Sequence, residues 1–143
     1  MQAVTILLVE DDPGHARLIA KNLQRAKISN AIITLADGQQ ALDYLFDTDE
    51  NGNHTPMPLL VLLDLNLPVV TGYQVLEQMK SHERTRHIPV IILTTTDDPQ
   101  EIRRCYELGC NVYVVKPVEY TQFAEAIQKL GLFFSVVTVP ATR

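Results

Sequence analysis

The hydrophobic residues of this chain fall into five short runs, separated by segments in which apolar residues recur at every third or fourth position. Short apolar runs are typical of strands in a parallel sheet that is covered on both faces. The intervening segments have the period of amphipathic helices. This strand-helix alternation predicts a parallel α/β sheet. The predicted strands cover residues 4–9, 31–35, 59–63, 90–93 and 111 or 112 to 115.

Start and stop signals place a helix after each strand. Pro13 and Pro99 suit the first turn of a helix, where a missing amide costs little. Asp97 or Asp98 can cap the helix that Pro99 begins, and Gly109 can end it. The residues predicted to face inward are Ala16, Ile19, Ala20, Leu23 and Ala26, then Ala41, Leu42, Leu45 and Phe46, then Val75, Leu76 and Met79, then Ile102, Cys105 and Leu108, and, in a last helix over 119–130, Phe123, Ile127 and Leu130.

Few topologies can join five parallel strands, because their crossovers are right-handed. We expect the strand order 2-1-3-4-5, which gives a doubly wound, flavodoxin-like (βα)5 sheet in a single domain. In that order the winding direction reverses between strands 1 and 3. Open parallel sheets bind ligands at such a point, outside the carboxyl ends of the strands.

Chemically active residues follow four of the five predicted strands. The first strand stops at Glu10 and Asp11, and the third stops at Asp64. The fourth stops at Thr94 and the fifth at Lys116. Taken alone, each residue is more often a helix cap, a turn residue or a solvated charge. One shared site explains their common position more simply than four unrelated roles.

Three carboxylates at one point of a sheet repel one another, and a hard divalent cation relieves that repulsion. Magnesium takes oxygen ligands, so we expect Asp11 and Asp64 to bind it directly and Glu10 to act through a water. The backbone carbonyl of Asn66 can add another oxygen. A carboxylate beside a metal can also attack phosphorus and form an acyl phosphate, which makes Asp64 the candidate nucleophile.

This pattern resembles the receiver domain of bacterial two-component response regulators, over residues 4–131. The resemblance rests on Glu10-Asp11, Asp64, Thr94 and Lys116-Pro117 at their respective strand ends. It implies that Asp64 accepts a phosphoryl group with Mg²⁺ as cofactor. It also implies a protein that catalyses only its own phosphorylation and dephosphorylation.

The same resemblance assigns roles to the other residues of the site. Thr94 and Tyr113 match the two switch residues of such domains, and Lys116 matches the lysine that contacts the phosphate. The peptide bond before Pro117 is expected to be cis. The magnesium ligands that the family implies are Glu10, Asp11, Asp64 and the carbonyl of Asn66.

A narrower resemblance is to the stand-alone regulators that are paired with phytochrome histidine kinases. It rests on the segments LDLNLP, IPVIILTTT, CNVYVVKPV and LGLFFSVVTVP, and on the long polar loop over residues 47–58. The expected partner is therefore a sensor histidine kinase of phytochrome type. Thr71-Gly72 departs from the usual Asp-Gly of the family. Thr95 stands where many receivers have Ala or Gly, and we expect it to restrict access to the acyl phosphate and alter its lifetime.

Residues 1–131 form the receiver-like region, and residues 132–143 form a tail that is too short for an output domain. The tail is unusually apolar for a terminus, and its alternation after Phe134 is typical of a strand. It can fold back on its own core, but exposed apolar patches usually mark an interface. We expect the tail and the last helix to join a homodimer through Phe133, Phe134, Val136, Val137, Val139 and Pro140.

Composition limits the class of partner. The net charge of −5 offers no basic field for nucleic acid, and no segment predicts a membrane span or a signal peptide. Cys105 and Cys110 lack a zinc-site spacing and favour a reduced, cytoplasmic protein. Because the receiver-like region is acidic and the tail is too short for a DNA-binding domain, we expect output to pass through protein contacts. The histidines, which are expected to lie outside the acidic cluster, are His15, His54, His82 and His87.

Other functions stay open from sequence. An aspartyl phosphohydrolase or phosphotransferase usually has a second acid two residues after its nucleophile, where this chain has Asn66. A flavodoxin-like cofactor binder would need a loop of Ser, Thr and Gly after strand 1, because acids there repel a phosphate. A phosphorelay shuttle and a receiver-like module that is never phosphorylated are both compatible with the sequence.

Overall fold

The computed structural model describes residues 5–28, 30–48, 50–54, 57–117 and 119–129. Its strands are Thr5–Val9 (β1), Ala31–Leu35 (β2), Leu60–Leu63 (β3), Val90–Thr94 (β4) and Val112–Val115 (β5). Its helices are Pro13–Arg25 (α1), Gly38–Phe46 (α2), Gly72–Ser81 (α3), Pro99–Leu108 (α4) and Tyr120–Lys129 (α5). All strands are parallel, in the order β2-β1-β3-β4-β5, which confirms the predicted doubly wound sheet.

Alternate residues of each strand point to opposite faces, so the sheet contributes to two separate hydrophobic cores. Leu7 and Val61 pack with α2, α3 and α4 on one face. Ile6 and Leu62 pack with α1 and α5 on the other. The central strands β3 and β4 are buried along their whole length, whereas the edge strands β2 and β5 are partly open. Burial on both faces explains the apolar runs of the central strands.

The positions predicted to face inward in α3 and α5 are buried where the structure describes them, whereas α1, α2 and α4 each mix buried and half-buried ones. In α1 and α2 the half-buried positions include Ala16, Ala20, Leu42 and Phe46. Cys105 is fully buried in α4, whereas Ile102 and Leu108 are only half-buried. The reason is that α4 packs against α3 and the edge strand β5, so its outer flank stays in water. Asp98, rather than Asp97, caps this helix.

Helix caps and one close glycine contact hold the loops at the carboxyl edge of the sheet. Asp12 caps α1, and its Oδ1 accepts the amides of Gly14 at 2.8 Å and His15 at 3.1 Å. Gly72 begins α3 directly against the backbone of Asp64, where a Cβ atom would lie 2.1 Å from the carbonyl oxygen. Only glycine permits that approach without a shift of the loop.

Candidate functional site

Backbone hydrogen bonds extend the sheet ladder past the strands and hold the residues at its carboxyl edge. The amide of Glu10 donates to a carbonyl of β2 at 2.9 Å, and the amide of Asp64 donates to a carbonyl of β1 at 3.1 Å. The amide of Lys116 donates to the carbonyl of Thr94 at 2.7 Å. These predicted site residues therefore lie together on well-supported backbone, around the switch point between β1 and β3.

The Lys116 ammonium lies at the centre of the site. Its Nζ donates to Glu10 Oε1, to Asp64 Oδ2 at 3.1 Å and to His15 Nδ1 at 3.1 Å. The side chains of Lys116, Glu10 and Asp64 are 5%, 1% and 8% exposed. An unpaired charge with so little access to water would be costly, so these groups depend on one another. Lys116 is thus within reach of a group attached to Asp64.

Glu10, Asp11 and Asp64 form a carboxylate cluster in which each residue offers one oxygen, and these oxygens lie within 4.8 Å of one another. Glu10 and Asp64 are buried, whereas Asp11 is exposed. Burial raises the pKa of Glu10 above its ordinary value, and the hydrogen bond from Lys116 opposes that rise. An oxygen-only set with several negative charges suits a hard divalent cation such as Mg²⁺.

The two buried acids already have partners for their oxygens. Glu10 Oε1 accepts from Lys116, and Oε2 accepts a backbone amide at 3.1 Å. Asp64 Oδ1 accepts the amide of Asn66 at 3.2 Å. Both acids are engaged in the same way, so these contacts do not decide the division expected from sequence, in which Asp11 and Asp64 bind a metal directly and Glu10 acts through a water. That division and the part of the Asn66 carbonyl stay predictions.

The Thr94 hydroxyl is fully buried and has no hydrogen-bond partner among the described residues. A buried hydroxyl without a partner costs free energy, and such groups in native proteins call for an explanation. An oxygen-rich group on Asp64, at the end of the neighbouring strand β3, would supply an acceptor. The unpaired hydroxyl therefore fits a site that is completed by a phosphoryl group.

The other predicted residues lie around this centre. Tyr113 is half-buried, and its hydroxyl donates to the carbonyl of Thr96 at 2.8 Å. Burial raises the pKa of Tyr113 to about 12, so the phenol stays protonated and remains a donor. The Lys116–Pro117 peptide bond is cis, as the family resemblance implied. Thr95 is exposed, and its effect on the acyl phosphate stays a prediction.

The expectation that all the histidines lie outside the acidic cluster is wrong for His15. Its Nδ1 atom is 3.1 Å from Lys116 Nζ and 3.9 Å from Glu10 Oε1. The sequence carried a signal for the position of His15 near the strand ends, but not for its contact with Lys116. A residue two positions after a helix-starting proline lies in the first helical turn, next to the end of the preceding strand. The histidines that make none of these contacts are His54, His82 and His87.

Two sequence predictions concern residues outside the described ranges. These are the inward position of Leu130 and the interface role of the tail over residues 132–143. Across the part of the chain that the structure does describe, no helix is both long enough and apolar enough to cross a membrane.

The fold and the site together define a class: a (βα)5 domain with an aspartate, a lysine and a buried hydroxyl at the carboxyl edge of its parallel sheet. Residues 6–128 match the family described as the response regulator receiver domain, and the chain belongs to that family. The resemblance inferred from the strand-end residues is thereby confirmed.

Three relatives show how much of the chain is shared. A response regulator receiver domain from Rhodospirillum rubrum is 57% identical, with a TM-score of 0.76, covering 93% of this chain and 94% of that one. The phosphorylated cyanobacterial phytochrome response regulator RcpA is 32% identical, with a TM-score of 0.78, covering 94% and 96%. Response regulator Rcp1 from Synechocystis sp. is 36% identical over 137 residues, covering 95% of this chain and 92% of Rcp1. The structure of its Mn²⁺-bound form has a TM-score of 0.75 at 35% identity, covering 92% and 94%.

Proposed function

We propose that this chain acts as a response regulator that accepts a phosphoryl group on Asp64 from a sensor histidine kinase and signals through protein contacts. The observation that carries the proposal is a buried ammonium in contact with the Asp64 carboxylate, together with a buried hydroxyl, without a partner among the described residues, on the neighbouring strand. Lys116 Nζ lies 3.1 Å from Asp64 Oδ2, and Thr94 ends the adjacent strand β4. Both groups are donors, which a transferred phosphoryl group requires.

The transfer is a substitution at phosphorus. An oxygen of the Asp64 carboxylate forms a bond to phosphorus while the bond between phosphorus and the kinase histidine nitrogen breaks. The electron pair of the broken bond stays on that imidazole nitrogen. Lys116 balances negative charge on the phosphoryl oxygens, and the Thr94 hydroxyl donates to one of them.

Magnesium is the proposed cofactor, because three carboxylates face a single ammonium in an oxygen-only donor set. Asp11, Asp64 and the Asn66 carbonyl would hold the ion, with Glu10 acting through a water. When bound, Mg²⁺ supplies positive charge that screens the acceptor carboxylate from the incoming phosphate. The Mn²⁺-bound form of the relative Rcp1 supports a divalent-cation site in proteins of this kind.

Output is proposed to pass through Thr94 and Tyr113. A phosphoryl group on Asp64 draws the Thr94 hydroxyl toward it, and the space that this leaves lets Tyr113 turn inward. Tyr113 then gives up its hydrogen bond to the Thr96 carbonyl, which changes the surface formed by α4, β5 and α5. A single charged modification thereby shifts the balance between two packings of this surface.

The kinase is proposed to be of the phytochrome type, since RcpA, a phytochrome response regulator, is 32% identical over nearly the whole chain. The apolar tail supports a homodimer that also uses α5. The net charge of −5 argues against a nucleic-acid partner, and we place the protein in the cytoplasm without a membrane partner.

Intact-mass spectrometry after incubation with Mg²⁺ and acetyl phosphate tests the phosphoryl-acceptor function. We expect one added phosphoryl group on the parent, and none on Asp64→Asn or without Mg²⁺. No added mass, together with binding of beryllofluoride, would indicate a short-lived acyl phosphate. No added mass and no beryllofluoride binding would overturn the proposal and leave an interaction module that is not phosphorylated.

A second experiment tests the partner. A purified phytochrome-type histidine kinase should transfer its phosphoryl group to this chain faster than an unrelated histidine kinase does. Equal rates would refute the phytochrome assignment without affecting Asp64. Onward transfer from Asp64 to a histidine phosphotransfer protein would identify the chain as a phosphorelay shuttle.

A further inference from the structure

The Lys116 ammonium has three hydrogens, and three acceptors surround it. Two belong to the acidic centre, namely Glu10 Oε1 and Asp64 Oδ2. The third is Nδ1 of His15, at 3.1 Å from Nζ, on the first turn of α1. An ammonium group has no lone pair, so Nδ1 must be the acceptor in this contact. A ring that accepts through Nδ1 carries its hydrogen on Nε2.

The surroundings of Lys116 make this third acceptor important. A small pocket of about 50 Å³ lies beside the lysine, lined by His15, Leu18, Ile19, Lys116 and Pro117. Among these lining residues His15 and Lys116 carry the polar side-chain atoms, and the others are hydrocarbon. An ammonium hydrogen that pointed there without His15 would lack a protein acceptor, which is costly for a charged donor.

We propose that His15 is a positioning residue for phosphoryl transfer, because its Nδ1 lone pair holds the Lys116 ammonium beside Asp64. The inference rests on the proposed function, since the phosphoryl group on Asp64 is what Lys116 stabilises. Without the imidazole, Nζ keeps its two carboxylate acceptors but loses the contact that fixes it on the His15 side. The ammonium is then worse placed to meet the phosphoryl oxygens.

Two substitutions separate this role from simple packing. His15→Asn keeps an acceptor, because the side-chain carbonyl oxygen can take a position close to that of Nδ1. His15→Leu fills the apolar pocket but offers no acceptor. Asn and His have similar helix propensities, and the His15 side chain is 46% exposed, so neither change disturbs the core. His87→Leu, at an exposed position outside the site, is the matched control.

The first measurement is the rate of phosphorylation by acetyl phosphate at saturating Mg²⁺. For His15→Leu we expect a maximal rate lower by about threefold to tenfold, as for a weakened hydrogen bond to a charged group. The KM for acetyl phosphate should stay unchanged, because His15 acts through Lys116 rather than on the donor. The maximal phosphorylation rates of His15→Asn and His87→Leu should lie within about twofold of the rate of the parent. Equal slowing by Asn and Leu, or no slowing by Leu, would overturn the positioning role.

The second measurement needs no phosphoryl transfer. Nitrogen-15 NMR of the unphosphorylated chain, with a neutral ring, reports which ring nitrogen of His15 carries the proton. We expect the proton on Nε2, and a loss of that preference in Lys116→Met. A proton on Nδ1 in the parent would refute the contact and the proposal. If the tautomer is as inferred but the parent accepts no phosphoryl group, the proposed function fails and the positioning role with it, while the contact stands.

Discussion

A Cβ atom on Gly72 would lie 2.1 Å from the backbone carbonyl oxygen of Asp64, so helix α3 begins in direct contact with the acceptor loop. A second glycine makes a close contact farther along the same loop. A Cβ on Gly38, at the start of α2, would lie 1.9 Å from the carbonyl oxygen of Val70. The loop that follows Asp64 is thus held between the starts of two helices.

Gly72→Ala is expected to lower the free energy of unfolding by about 2–3 kcal/mol, because the added methyl group meets backbone atoms that cannot rotate away. It should also slow phosphorylation, since the shift begins at Asp64. Urea unfolding monitored by circular dichroism measures the first effect. Gly52→Ala is the control, because it has open space around it and carries only the left-handed backbone cost of about 1 kcal/mol. If Gly72→Ala lowered the free energy of unfolding by less than Gly52→Ala does, the predicted clash would be contradicted.

Thr94→Val is expected to raise the free energy of unfolding of the unphosphorylated protein by about 1 kcal/mol, because it removes a buried hydroxyl without a partner. The same change should reduce the stabilisation that beryllofluoride produces, since the donor to the phosphoryl group is lost. Thr94→Ser keeps the hydroxyl and should retain that response. Thermal unfolding with and without beryllofluoride measures both effects. A destabilised Thr94→Val that keeps its full response would count against the assigned role.

Lys116→Met leaves Glu10 and Asp64 buried without their cation. We expect a loss of about 3 kcal/mol in the free energy of unfolding in EDTA, as for other broken buried pairs. Mg²⁺ should then stabilise the variant more than the parent, because the ion meets uncompensated carboxylates. Urea titrations in EDTA and in saturating Mg²⁺ give both numbers, with the exposed Lys21→Met as control. Equal stabilisation by Mg²⁺ would show that Lys116 and the metal do not share the same carboxylates.

The two thiols are expected to be unreactive in the folded protein. Burial raises the pKa of Cys105 to about 11 and that of Cys110 to about 12, from an ordinary value of 9.0. At pH 8, a disulfide reagent such as DTNB should label neither thiol in the native state and both in urea, because the thiolate is the nucleophile. Rapid labelling of the folded protein would disprove this.

The same shifts have a consequence for stability. The folded protein holds two protons that the unfolded chain releases from about pH 9, so the free energy of unfolding falls as pH rises toward 11. A Cys105→Ala/Cys110→Ala variant should lose less stability than the parent over that range. Parallel pH curves for the two proteins would mean that the thiols do not contribute.

Deleting residues 132–143 is expected to convert the proposed homodimer into a monomer, because it removes the apolar surface that the tail offers. Light scattering of the parent and the truncated chain measures the mass. Phe133→Ser/Phe134→Ser in the full chain should have the same effect while keeping the length. A truncated chain that keeps its dimer mass would refute the role of the tail.

The sequence by itself determined the element order, the central strands and most of the site. Strands buried on both faces require continuous apolar runs, so a charge that ends such a run, as Asp64 does, stands out without any knowledge of contacts. Helix signals are equally local, which is why Pro13 correctly marked the start of α1 and Gly109 the end of α4. The family's strand-end residues then identified the class of protein.

Three features became apparent only in three dimensions. His15 contacts Lys116 across 101 positions of sequence, the Thr94 hydroxyl has no partner within the described ranges, and Ile102 is only half-buried. Each depends on how side chains from distant elements are oriented and covered. A linear pattern encodes the face of a helix or strand on which a residue lies, but not the atom it meets there. The Lys116 ammonium has its three acceptors because α1, which carries His15, packs on the sheet that contains β5, the strand before Lys116.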